Sequence, residues 1–319
     1  MREPLFVKQN SKKWERFEQS ATQNPDELAD NFIQITDDLA YAKTFYPKSK
    51  TTSYLNGLAS RFHQSIYKNK TEKGNRFITF WVYELPLLFY RHRMPLLYAF
   101  IFFTIFCLMG VLSAKYDENF VRLIMGDQYV DMTNANIAKG DPFGVYKQGS
   151  EFSMFFQIAV NNIYVSLVAF VSGIFFSVGT LYALFRNGLM LGAFQYYFFS
   201  KGLGMQSVLV IWIHGTLEIF AIVIAGAAGL VLGNSLLFPK TYSRLISLKK
   251  GANDGMKMAI GLVPIFITAA FFEGFVTRHT KMPLALSITI LAASLAFMIW
   301  YVIIYPKRIY NKTLYGTQH

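Results

Sequence analysis

Two kinds of hydrophobic pattern divide this chain. Up to about residue 72, apolar residues come singly at helical spacing. Leu28, Phe32, Ile35, Leu39, Ala42 and Tyr46 form one stripe, which Pro47 ends. Leu55, Leu58, Phe62 and Ile66 form a second, on a helix starting near Thr51 or Thr52, and an earlier helix carries Phe6, Trp14 and Phe17. Asn24-Pro25-Asp26-Glu27 supplies an N-cap, a first-turn proline and a capping-box acid ahead of the first stripe. The pattern predicts a small cytoplasmic helical domain over residues 1–72.

From residue 94 the apolar positions merge into runs long enough to cross a bilayer. Spans are predicted at about 94–113, 152–185, 189–203, 205–238, 256–276 and 284–305, and together with residues 114–151 they make up a membrane domain over 94–319. Asn187-Gly188 is read as the break before a short crossing at 189–203, and Pro306-Lys307-Arg308 as the end of the last span. Residues 114–151 form an extracytoplasmic loop in which Glu118 to Tyr129 is expected to be helical. Residues 73–93, interrupted by Glu84 and Pro86, fit two descriptions. One is an interfacial segment with Arg76, Arg91, His92 and Arg93 at the lipid headgroups. The other is a connecting helix packed on the bundle. The expected fold class is all-α: a polytopic membrane helix bundle of about six transmembrane segments with a small cytoplasmic N-terminal helical domain.

Composition agrees with this. A chain that is 53% hydrophobic and 16% charged is too apolar for an ordinary soluble domain. The net charge of +12 is explained by bases flanking the spans, so no nucleic-acid partner is expected; membrane lipids are. The loop at 114–151 carries six acids against four bases, while Lys240, Arg244, Lys249 and Lys250 follow the fourth span. By the positive-inside rule both termini are cytoplasmic. The opening residues lack the apolar core of a signal peptide, which agrees with a cytoplasmic amino terminus. Cys107 is the single cysteine, which excludes a disulfide framework or a thiolate metal site within one chain.

Ionisable and amide side chains inside the spans are the candidate chemistry, because each is costly at membrane depth. His214 and Glu218 sit four apart on one helix face, and Asn161, Asn162 and Glu273 lie at similar depth when counted at ~1.5 Å per residue. Ala225, Gly229 and Gly233 continue the His214 side. Gly173 continues the Asn162 side. Together with Gly188, Gly192, Gly215 and Gly226 these glycines are read as helix-packing positions.

Three readings of the polar centre stay open. It could be a network that fixes helix packing, a site for a proton, cation or headgroup on a transport path, or a metal centre of His214, Glu218 and Glu273. His-x-x-x-Glu is not the His-Glu-x-x-His of zinc peptidases, so no metal is assigned. No nucleotide-cradling loop is present, no catalytic residue is assigned and no cofactor is expected.

Several of these residues also carry a resemblance. Asn161-Asn162, Asn187-Gly188 with Gly192, His214-Gly215-Thr216-Leu217-Glu218 with Ala225-Gly226, and Glu273 resemble the stage II sporulation protein M family of bacterial integral membrane proteins. Arg2-Glu3, Phe6-Val7, Trp14, Leu39-Ala40, Tyr54-Leu55-Asn56 and Ile66-Tyr67 are similar to the amino-terminal region of its longer members.

The resemblance implies residence in the bacterial cytoplasmic membrane and a non-enzymatic role as a membrane subunit or scaffold of an envelope complex. Its implied partners are a MoxR-type AAA+ ATPase and von Willebrand factor A domain proteins. A transporter or lipid-handling protein using the buried His, Glu and Asn is the alternative. The small-residue faces would also suit a homodimer.

Overall fold

The structure, a computed structural model, describes residues 2–19, 25–67, 76–147, 150–278 and 282–315. It divides into two compact units, Met1–Asn75 and Arg76–His319.

The first unit holds α1 (Glu3–Gln19), α2 (Pro25–Phe45) and α3 (Lys50–Tyr67). Its core is the set of stripes read from the sequence. Phe6, Trp14, Phe17, Ile35, Leu39, Ala42, Leu55, Leu58 and Phe62 are buried together, with Leu28, Phe32 and Tyr46 packed at their edge. Asn24, read as an N-cap, and the side chain of Ile66 lie outside the described residues. Polar bonds tie the helices where apolar contact alone would let them slide. Trp14 Nε1 donates to Asp38 Oδ2 at 2.7 Å, and Thr51 Oγ1 donates to Glu3 Oε1 at 2.7 Å.

The second unit begins with α4 (Arg76–Thr79), a π-helical turn at Phe80–Glu84 and α5 (Leu85–Arg91). These lead into α6 (Arg93–Tyr116). Two short helices follow, α7 (Glu118–Met125) and α8 (Asp127–Ala138). The bundle is completed by α9 (Glu151–Val171), α10 (Val178–Ser200), α11 (Gly204–Leu237), α12 (Arg244–Gly261), α13 (Val263–Phe271), α14 (Leu284–Ile299) and α15 (Tyr305–Tyr315). Among the described residues, five stretches are long and apolar enough to cross a membrane: Arg93–Tyr116, Glu151–Ile174, Gly204–Leu237, Arg244–Val276 and Leu284–Thr313. The outer faces of these helices stay apolar, as with Phe100, Leu108, Tyr164, Val168, Ile288 and Leu295.

The central element is α11. It is hydrophobic all round, which suits a helix buried on every side, and α6, α9, α10, α12, α13 and α14 all pack on it. Its small residues set the packing distance. A Cβ on Gly173 would run into the backbone of Gly229, and one on Gly233 into Ser177. The same contacts fix helix direction. Gly188 rests on Phe103 and Phe106, and Gly192 on Cys107 and Val111, so α6 and α10 run parallel. Gly251 meets Ser235 and Gly255 meets Ala228, so α12 runs antiparallel to α11.

The helix boundaries differ from the sequence reading in four places. The break expected at Asn187-Gly188 lies instead at residues 172–177, where Phe176 and Ser177 take φ of 52° and 68°. Thr180 Oγ1 donates to Ala169 O at 2.7 Å across the resulting hairpin. Asn187 is inside a continuous helix, bonded to Ala183 O at 2.8 Å, and Gly188 is a contact point for α6. The span expected at 152–185 is thus two helices, and the short crossing at 189–203 is part of the 23-residue α10.

The segment expected at 256–276 begins at Arg244. The last helix passes through Pro306, because the π turn at Trp300–Ile304 shifts the backbone bonding just before the residue that lacks an N–H. The helix expected from Glu118 to Tyr129 is split at Gly126, whose φ is 84°.

Residues 76–91 pack on the bundle. Leu85, Leu88 and Phe89 join its main core, Trp81 Nε1 donates to Gly261 O at 3.2 Å, and Tyr301 donates to Trp81 O at 2.8 Å. Arg91 and His92 meet Asp254, at 3.6 and 2.9 Å.

Candidate functional site

Near the end of the bundle that carries α7 and α8, helices α9, α10 and α11 part around a cavity of about 370 Å³. The register of α11 explains its chemistry. His214 and Glu218 share one face, and Gly215 beside them has no side chain to fill the space. Asn161, Asn162 and Val165 line it from α9, Asn187 and Phe194 from α10, and Glu273 from the π turn after α13. A π turn inserts one extra residue into the helical repeat and re-aims the side chains it carries, a feature common at functional sites. Ile124, Met125 and Tyr129 form the roof. The roof is held by Tyr197, which donates to Asn134 Oδ1 at 2.7 Å, and burial pushes the Tyr129 phenol up to about 12, so it stays protonated.

The polar groups converge tightly. Ligand atoms of His214, Glu218 and Glu273 all lie within 4.8 Å of one another. His214, only 4% exposed, sets its Nδ1 at 3.0 Å from Thr277 Oγ1, and its Nε2 faces Glu273 Oε2 at 3.7 Å. The latter separation is too long for a hydrogen bond. Asn162 faces Glu218, is 5% exposed, and has a buried Nδ2 with no hydrogen-bond partner within 3.5 Å among the described residues. Among the described residues, the lining contains no Lys or Arg.

Four of the five polar residues singled out in the sequence thus meet: Asn162, His214, Glu218 and Glu273. Asn161 is exposed and sits on the rim, because its neighbour takes the inward face of α9. Among the glycines, Gly173, Gly188, Gly192, Gly226, Gly229 and Gly233 make close helix contacts, whereas a Cβ on Gly215 would meet nothing within 4 Å. Gly215 shapes the cavity, not a helix contact. Sequence reasoning missed Thr277, which stands four residues beyond Glu273 and could have been found by that spacing. It also missed Gln195, which accepts from Trp212 Nε1 at 2.9 Å and donates to Ser207 at 2.8 Å. Nothing in the sequence marked Gly110, whose close contact is with Leu189.

Residues 99–278, more than half of the chain, match the family described as stage II sporulation protein M. The chain belongs to that family. The matched stretch runs from α6 to just past Thr277 and contains the whole polar centre, so the cavity is built by the family's own region of the chain. Residues 4–68 match a domain of unknown function (DUF8413), which coincides with α1, α2 and α3. No curated protein and no solved structure matches the chain.

Proposed function

We propose that this protein is a multi-pass subunit of the bacterial cytoplasmic membrane in which α10 crosses together with the five apolar stretches, so that both termini are cytoplasmic, and whose bundle receives a small polar ligand into the chamber from the extracytoplasmic side. The observation that carries this reading is the chamber itself. A site that only fixed helix packing would close on its polar groups, whereas here a carboxylate pair, an imidazole and an amide border open space. A helix interior that keeps ionisable groups beside a cavity is the usual arrangement of a substrate or ion site in membranes. The acidic loop between α6 and α9 supports the orientation, since bases concentrate on the other side of the spans.

The test is chemical access. In a Cys107→Ser background, Ile219→Cys, whose parent residue lines the chamber, should react with a membrane-impermeant thiol reagent added outside intact cells. Labelling only after lysis would reverse the orientation, and no labelling in the folded protein would remove the chamber reading.

A second role is supported by the N-terminal unit, which has its own core and its own family match. We propose it as a docking module for partner proteins, with the MoxR-type ATPase and von Willebrand factor A proteins as first candidates. If docking is its whole function, Glu218→Gln should leave activity intact in cells, because an amide still hydrogen-bonds. If the chamber works, that exchange should abolish activity while the protein stays assembled.

A further inference from the structure

The reading of the chamber as a ligand site leaves the nature of the ligand open, and the geometry narrows it. Four observations bear on it. His214 Nε2 and Glu273 Oε2 stand 3.7 Å apart, too far to bond directly. Two ligands on one tetrahedral zinc-class ion, each at about 2.0–2.2 Å, stand about 3.3–3.6 Å from each other. His214 Nδ1 lies 3.0 Å from Thr277 Oγ1. An Nδ1–H that donates there turns the lone pair of Nε2 toward the carboxylates, as the outer partner of a metal-bound histidine does. Two carboxylates share the centre with no Lys or Arg among the described residues of the lining. A divalent cation would neutralise them. Finally, the buried Nδ2 of Asn162, on the side chain that faces Glu218, has no acceptor within 3.5 Å among the described residues.

We infer that His214, Glu218 and Glu273 hold a divalent zinc-class ion, with a fourth position open to the chamber where Asn162 Nδ2 donates to an oxygen of the ion's water or of an anionic ligand. Three protein ligands and one open position describe a working site, since a structural zinc site closes its fourth position with protein. The mixed imidazole and carboxylate set suits zinc, manganese or iron(II) better than calcium, which takes oxygen ligands, or copper(I), which takes sulfur.

The experiment is a cobalt(II) titration of the purified full-length protein in nanodiscs, followed by visible absorption and by competition with zinc. The expected result is a saturable d–d band at one equivalent that zinc displaces. Glu273→Gln and His214→Ala should weaken binding at least about tenfold, and Thr277→Val about 10–100-fold, the range for loss of a ligand's outer partner. Asn162→Ala should keep the ion and alter the band when an anion such as acetate is added.

A folded wild-type protein with no saturable band, or a band that Glu273→Gln and His214→Ala leave unchanged, overturns the inference. Should His214→Ala fail to fold, the wild-type titration and the near-isosteric Glu273→Gln still decide. Ile219→Cys labelling separates the two readings. Labelling without cobalt binding would refute the ion and keep the chamber, whereas absence of both would refute the chamber as well.

Discussion

His214 Nδ1 and Thr277 Oγ1 lie 3.0 Å apart although 63 residues separate them, and both side chains are almost wholly buried. The contact joins the first third of α11 to the chain just beyond the π turn that carries Glu273. It therefore fixes the imidazole ring and the position of the carboxylate opposite it together.

Replacing Thr277 by Val keeps the shape and removes the hydroxyl. The imidazole then loses a buried partner, at a cost of about 1–3 kcal/mol. Thermal unfolding in detergent should show a lower midpoint for Thr277→Val and a nearly native one for Thr277→Ser.

Two glycines should respond in opposite ways to Ala. A Cβ on Gly192 falls on the backbone of Cys107 and Val111, so α6 and α10 must separate and about 1–3 kcal/mol is lost. Gly215 has open space there, and Ala in a helix gains roughly 0.5–1 kcal/mol over Gly. Parallel melts of Gly192→Ala and Gly215→Ala check both signs.

Ser177 holds φ of 68° in the turn between α9 and α10, a conformation that costs an L-residue roughly 1–2 kcal/mol. Ser177→Gly is expected to keep or raise the thermal midpoint, and Ser177→Val to lower it. Equal midpoints for the two variants would contradict the strained turn.

In the N-terminal unit, Trp14 is 3% exposed and its indole N–H depends on Asp38. Asp38→Ala strands that donor at a cost of about 1–3 kcal/mol, while Asp38→Asn keeps an acceptor and costs less. Hydrogen exchange across α1 should accelerate in that order.

Glu18 gives this unit a pH dependence. Arg61 Nη2 donates to it at 2.8 Å and the Tyr54 hydroxyl at 3.1 Å, and these bonds hold its carboxyl below the ordinary value of 4.5. A carboxylate depressed in the folded state adds stability that is present above its ordinary value and lost as pH falls through the folded one. The group is exposed, so the effect is small. Hydrogen exchange of α1 and α3 should be slightly faster in Glu18→Gln than in the parent protein near neutrality, and the two should converge as pH falls well below 4.5, so that the variant shows the shallower acid loss.

Much of this was legible in the chain. The stripe from Leu28 to Tyr46 and the apolar runs beyond residue 94 follow from periodicity, which is a local property. The pair His214 and Glu218 follows from i, i+4 spacing on one helix. The all-helical fold class and the unusual polar centre were therefore determined by the sequence, because hydrophobic burial and the cost of ionisable groups in an apolar run depend on residue type and local order.

The tertiary structure decided the rest. Asn187-Gly188 has the composition of a break yet lies inside a helix, because Gly188 is needed where α10 touches α6, while the turn falls at Phe176 and Ser177, which carry no breaker signal. Asn162 and Asn161 are adjacent and alike in sequence, but only the position of α11 makes one buried and the other exposed. Gly215 and Gly229 look equivalent until the neighbours are in place; then one borders a chamber and the other receives Thr180 and Ala169. In each case the outcome rests on contacts between residues far apart in the chain, which local order does not encode.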